Sequence, residues 1–150
     1  MTQPLPSFRK LWEGYPAGGA GQVKGAIGGG VNMDWVTNTC TVRMSAAFHH
    51  AGHPIPDNFA GLTTTYGGDG KRYAFRVVEF GQYLRRRYGK PHIEGTQKSM
   101  FRGKQGIIQF DLLEAPDADG HMDVWDGRRV KYNDCFDHRF FRNAWLWICR

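Results

Sequence analysis

Residues 37–52, TNTCTVRMSAAFHHAG, set the frame for the rest of the chain. Asn38 or Thr39 supplies an N-cap, and Gly52 and Pro54 supply a stop, so the spacing predicts a helix of about three turns between them. Cys40, Met44, Ala47, Phe48 and Ala51 recur at helical spacing as one apolar stripe, the face such a helix buries. Cys40 falls in the first turn. There the positive end of the helix dipole and unpaired N–H groups favour a thiolate, and the same N–H groups can face a developing oxyanion. The competing reading is a small apolar side chain in the core, where most cysteines without a partner end up.

Downstream, residues 55–72 read as loop, with Tyr66-Gly67-Gly68-Asp69-Gly70 as a turn cluster. Val77, Phe80, Gly81, Leu84 and Tyr88 give a second helix over about Ala74–Tyr88, with Arg85-Arg86-Arg87 in its last turn and Gly89 and Pro91 ending it. From Gly103 the period shortens. Gly106–Leu113, His121–Trp125, Arg128–Tyr132 and Ala144–Cys149 read as strands, with Asp126-Gly127 as a two-residue hairpin turn. Upstream, residues 1–37 read as an irregular wrap anchored by Phe8, Leu11, Trp12 and Tyr15. Their eight glycines between Gly14 and Gly30 form neither GxGxxG nor GxxxxGK, so no phosphate-cradling loop is expected. Helices first and an antiparallel sheet afterwards is an α+β order, and 150 residues fit one domain.

Composition narrows the functional classes. A hydrophobic fraction of 41% and a charged fraction of 23% argue against wholesale disorder, and no apolar run is long enough to suggest a membrane span. The opening MTQPLPSFRK lacks the charged-then-apolar layout of a Sec signal peptide. The net charge of +6 is unevenly spread. Residues 71–104 carry ten Lys/Arg against Glu79 and Glu94, whereas residues 111–137 carry eight Asp/Glu against Arg128, Arg129 and Lys131. An anionic partner fits the basic segment, and so does a solvated helix face.

Cys40, Cys135 and Cys149 are an odd number with no zinc-ligand spacing, so no structural metal is expected; one pair could bridge in an oxidising compartment. A nucleophile needs a base, and His121 is the best placed of six histidines, opening a strand after the carboxylate-rich APDADG. Asp134, just beyond the next strand, is the expected orienter of its imidazole, with Asp123, two residues along the same strand face, as the alternative. His49 and His53 stand four apart in HHAGH, but the motif lacks the Glu of HExxH and Gly52 interrupts it.

With Cys40, His121 and the hairpin assembled, the chain resembles the fourth group of the type VI secretion amidase effectors. PSFRKLWEGYP is similar to the family's opening. IGGGVNMDWVTNTCTVRMSAAFHHAG resembles its nucleophile segment, and GIIQFD followed by GHMDVWDG its histidine segment. The resemblance implies a papain-like (NlpC-type) fold, with N-terminal helices packed on an antiparallel sheet. It also implies a cysteine amidase that needs no cofactor and cuts peptidoglycan between D-glutamate and meso-diaminopimelate. It implies delivery by the type VI machinery into a rival's periplasm, and a cognate immunity protein that blocks the site. On this pattern Cys40 matches the nucleophile, with its backbone N–H at the oxyanion, His121 the base and Asp134 the acidic position. Some family members have a disulfide near the site, which makes Cys135 and Cys149 the candidate pair. Two other classes share parts of the pattern. A nucleic-acid-binding module would use Arg85–Arg87, although no such motif accompanies them; a cysteine peptidase or transglutaminase-like enzyme would show the same Cys–His–Asp set.

Overall fold

Ser7 caps the first helix, α1 (Phe8–Gly14), by accepting the Lys10 N–H, and Leu11 is buried beneath it. A computed structural model describes residues 2–112 and 120–150. Within the segment expected to be irregular, a second helix comes next, α2 (Ala20–Ile27), ended by Gly28 at φ 73° and continued by a 3₁₀ turn at Gly29–Asn32. Gly21 and Gly25 sit inside α2, where each costs about 1 kcal/mol relative to alanine, so propensity alone hid the helix. Val23 carries it by burying its side chain. Gly29, at φ 61°, lies where an added Cβ would come within 2.7 Å of the Gly67–Gly68 backbone, so that close approach requires glycine.

The expected central helix forms as α3 (Cys40–His50), and every residue from Cys40 to Ser45 is buried. Residues 55–72, expected as loop, contribute to a short hairpin of β1 (Thr64–Tyr66) and β2 (Arg72–Ala74), closed by the glycine-rich turn. Because Ala74 pairs with Thr64 and donates its N–H to Ser45 Oγ, the next helix, α4 (Val77–Tyr88), starts three residues later than its periodicity suggests. Its stripe of Val77, Phe80, Leu84 and Tyr88 packs on α3, with Phe80 and Phe48 edge-to-face at 5.4 Å.

The remaining strands are β3 (Ile93–Gly95), β4 (Gly106–Leu112), β5 (His121–Trp125) and β6 (Phe141–Ile148), in the antiparallel order β3-β6-β4-β5. The architecture is α+β. Strand alternation divides the core. Ile107, Met122, Val124 and Trp147 face α1, α3 and α4, while Ile108, Phe110, Trp125 and Leu146 face a second cluster with Phe101 and Cys135. Leu113, the expected end of β4, and most of the APDADG loop lie outside the described residues.

Arg128–Tyr132 is not a strand. The turn at Asp126-Gly127 forms, with Asp126 N–H donating to the Arg129 carbonyl, and the bridge between Trp125 and Val130 and the Lys131 N–H bond to the Val124 carbonyl continue it no further than Lys131. The Lys131 N–H is shared with the Asp123 carboxylate, and the Tyr132 and Asn133 N–H groups turn to that carboxylate.

Candidate active site

Two element starts meet at the β5 edge of the sheet. Cys40 is the first residue of α3, and His121 the first residue of β5. Both line one cleft of about 390 Å³, together with Asn38, Tyr132, Cys135 and His138. Asn38 joins the two sides: its Oδ1 accepts the Cys40 N–H at 3.0 Å, and its Nδ2 donates to the Gly120 carbonyl at 3.1 Å. The sequence marks Asn38 only as a cap; its bond across 82 residues is a tertiary feature.

This contact bears on the expected oxyanion donor. The Cys40 backbone N–H, expected at the oxyanion, is engaged by the Asn38 side chain, a local Asx arrangement that satisfies the first orphan donor of α3.

The His121 imidazole is oriented by Asp123, not by Asp134. Nε2 of His121 donates to Asp123 Oδ2 at 2.8 Å, and Asp123 is 0% exposed. The same carboxylate accepts backbone N–H groups from Val124 (2.8 Å), Lys131 (3.1 Å), Tyr132 (3.3 Å) and Asn133 (2.9 Å). These donors fix the buried carboxylate in place. Asp134, the expected orienter, lies on the half-exposed surface, where it accepts from Lys98 Nζ at 2.7 Å and from the Phe136 N–H. Those two donors engage its carboxylate away from the imidazole, whereas the i, i+2 relation puts Asp123 on the imidazole's own strand face. Phe110 stacks on the His121 ring at 6.0 Å from across the β4–β5 pair.

Arg43, fully buried one turn into α3, braces the same cleft wall. It donates to Thr39 Oγ1 and to the Pro16 and Gly18 carbonyls, and its guanidinium lies 3.7 Å from the Tyr132 ring centroid. Lys131 Nζ donates to the Trp12 carbonyl, which ties α1 to the segment that wraps Asp123.

Cys135 and Cys149 are not joined: among the described residues no disulfide forms. They belong to clusters on opposite faces of the sheet, so the expected pair has no common side on which to bridge. Burial pushes both thiols up to about 12, with the Asp123 and Asp134 carboxylates adding to the effect at Cys135. The histidines of HHAGH diverge. His49 bonds the Arg72 carbonyl, His50 faces Glu13, and His53 meets the Tyr88 hydroxyl. The Arg85–Arg87 cluster is partly occupied within the fold, Arg85 on the Gly81 carbonyl and Arg86 on the Ala60 carbonyl and the Phe59 ring.

An α+β chain that gathers a thiol, an imidazole and a buried carboxylate around one cleft has the layout of a hydrolase. Comparison with known families sharpens this. Residues 36–147 match the model of the type VI secretion system amidase effector protein 4, and the chain belongs to that family. The structure is similar to the type VI effector Tae4 from Enterobacter cloacae, with a TM-score of 0.89 and 32% identity over 100% of both chains. It is also similar to the Tae4 of the Tae4–Tai4 effector–immunity complex from that organism, at TM-score 0.86 and 31% identity over 97% of this chain and 99% of that one. The Salmonella typhimurium effector Tae4, in complex with the immunity protein Tai4 from Enterobacter cloacae, gives TM-score 0.88 and 30% identity over 97% and 100%. No curated protein matches the chain. No helix among the described residues is long and apolar enough to cross a membrane.

Proposed function

We propose that this amidase effector is a cysteine peptidoglycan hydrolase of papain-like (NlpC-type) fold, built as one catalytic domain. Its bond is the one between γ-D-glutamate and meso-diaminopimelate in the stem peptide. The observation that carries the reading is the His121–Asp123 hydrogen bond at the mouth of a cleft that Cys40 also lines. Asp123 holds Nε2 as the protonated ring nitrogen and leaves Nδ1 as the one that exchanges protons with the cleft.

That tautomer sets the order of steps. The Cys40 thiol gives its proton to His121 Nδ1, and the thiolate attacks the γ-glutamyl carbonyl carbon. The positive end of α3 stabilises the resulting oxyanion, the Cys40 N–H being engaged by Asn38. Collapse breaks the C–N bond as His121 Nδ1 protonates the departing diaminopimelate amine. Water then loses a proton to Nδ1 and attacks the thioester, releasing the glutamyl γ-carboxylate and the thiol. Cys40, His121 and the start of α3, with one water, carry every step of this proposal.

The type VI machinery delivers such an enzyme to the periplasm of a competitor, and a cognate immunity protein covering the cleft protects the producer. The solved relatives bound to Tai4 support that partner. Digestion of purified sacculi, with fragments identified by mass spectrometry, tests the reading. The wild-type protein should release stem fragments with a new diaminopimelate amine, and Cys40→Ala should release none. Full activity in Cys40→Ala rules out the nucleophile, and fragments cut at another peptide bond rule out the assigned bond. A nucleic-acid module would instead bind RNA or DNA, with or without Cys40.

A further inference from the structure

The Gln109 side chain has no hydrogen-bond partner among the described residues. It is 5% exposed, yet its Oε1 is buried without a hydrogen bond, and its amide makes none among the described residues. Burying an unsatisfied amide costs about 1–3 kcal/mol, and leucine at the same place would avoid the penalty. A second cost sits opposite. Gly81 lies mid-helix in α4, where glycine is worse than alanine by about 1 kcal/mol, and a Cβ there would fall 2.3 Å from Gln109 Oε1. The fold therefore bears two local penalties to keep an amide that bonds nothing among the described residues.

That amide opens into a cleft. Gln109, Gln82, Arg85, Asp111, Val78 and Trp145 line a cavity of about 320 Å³ between α4 and the sheet. Trp145 is the cross-strand partner of Gln109 and is half-buried, with the Arg85 guanidinium 5.3 Å from its ring centroid. Asp111 carries no side-chain hydrogen bond or ion pair among the described residues and stands beside Leu112, which lines the catalytic cleft from the other face of β4. The two clefts flank the end of one strand.

We infer that the Gln109–Trp145 cleft is a subsite for an N-acetylated amino sugar of the glycan strand. This rests on the peptidoglycan reading above for the identity of the polymer. The chemistry matches group by group. Gln109 Nε2 donates to the acetamido carbonyl, with Oε1 packed against Gly81 and the amide plane thereby fixed. The Trp145 ring offers an apolar platform to the C–H face of a pyranose. Asp111 accepts sugar hydroxyls, Arg85 donates to ring or lactyl oxygens, and the carboxylate-rich stem peptide is disfavoured beside Asp111. The volume is at the low end of the roughly 300–1,000 Å³ typical of ligand pockets, suited to one ring rather than a chain.

The test is a titration of the full chain with N-acetylglucosamine trimer, read at the Trp145 indole N–H by NMR, with cellotriose as the control lacking acetamido groups. The trimer should shift the Trp145 signal and cellotriose should not. Gln109→Leu should weaken binding about tenfold or more while thermal stability holds or rises, an outcome that a purely structural glutamine would not give. The same variant should raise KM on sacculi and leave turnover of a glycan-free tetrapeptide unchanged. The inference is overturned if the trimer leaves Trp145 unmoved, if Gln109→Leu or cellotriose binds like the reference, or if a free stem peptide occupies the cleft instead. Binding is read without catalysis, so the trimer titration repeated on Cys40→Ala separates failure here from failure of the amidase reading.

Discussion

His121 Nε2 and Asp123 Oδ2 stand 2.8 Å apart on one strand face, and four backbone N–H groups hold the carboxylate there. The contact decides which imidazole nitrogen faces the cleft. Asp123→Asn would present an amide NH₂ or a lone carbonyl to Nε2, and the NH₂ orientation drives the ring to the tautomer with its proton on Nδ1. Turnover of a stem peptide should fall on the order of 10³–10⁴-fold, as expected for a base held in the wrong tautomer. Asp134→Asn removes only a half-exposed ion pair with Lys98, worth about 0–1 kcal/mol, and should leave turnover within a factor of a few. Steady-state kinetics on the two purified variants makes the comparison; a larger loss in Asp134→Asn would restore Asp134 as the orienter.

Asn38 predicts a separate pattern. Asn38→Ala removes both Asn38 bonds, to the Cys40 N–H and to the Gly120 carbonyl, so thiol and imidazole lose their common brace. We expect a loss of about 10² in kcat, the scale of a small misplacement of reacting groups. Stability should fall by about 0.5–2 kcal/mol, the usual worth of such a cap. Asn38→Asp keeps the acceptor for Cys40 but loses the donor to Gly120, so its stability should exceed that of Asn38→Ala. Equal stability in the two variants would show that the Cys40 contact contributes nothing.

What the sequence made legible was local. The α3 start at Cys40 and the β5 start at His121 come from capping residues and period, and both lie where expected. Asp123 was legible only as the alternative to Asp134, because three of its donors come from residues 131–133, at the end of the Arg128–Tyr132 stretch that reads as a strand. The carboxylate takes the Tyr132 and Asn133 N–H groups and shares that of Lys131 with the Val124 carbonyl. α2 was hidden by its own glycines, and three-residue strands such as β1 and β2 are too short to register a period. The Cys135–Cys149 pairing failed on topology: alternation along the sheet sends the two thiols to opposite faces, which no spacing in the chain reveals.

The three thiols should differ in reactivity. With pKa values pushed up to about 12 by burial, Cys135 and Cys149 are thiolate at pH 7.5 only on the order of 10⁻⁴–10⁻⁵ of the time. Brief iodoacetamide treatment of the native protein should modify Cys40 alone and abolish amidase activity in step, while treatment in denaturant should modify all three. Peptide mapping by mass spectrometry reads both. Native labelling at Cys135, which also lines the cleft, as fast as at Cys40 would contradict the assignment.

Acid should loosen the α3–β2 and α3–α4 junctions before it touches the carboxylates. Burial holds His49 below its ordinary 6.5 against the opposing bond to the Arg72 carbonyl, and burial with the Arg87 charge does the same at His53. A depressed histidine means that the unfolded chain binds more protons than the folded one just beneath pH 6.5. The stability these neutral rings contribute is complete above that pH and is lost as pH falls through the window below it. Asp69 and Glu79, held low by hydrogen bonds that outweigh burial, contribute above the ordinary carboxylate range and yield only in stronger acid. Thermal denaturation between pH 8 and pH 5 should therefore show a falling Tm, and a His49→Asn/His53→Asn double variant should show a shallower slope over the same interval. An unchanged slope would place the acid sensitivity elsewhere in the fold.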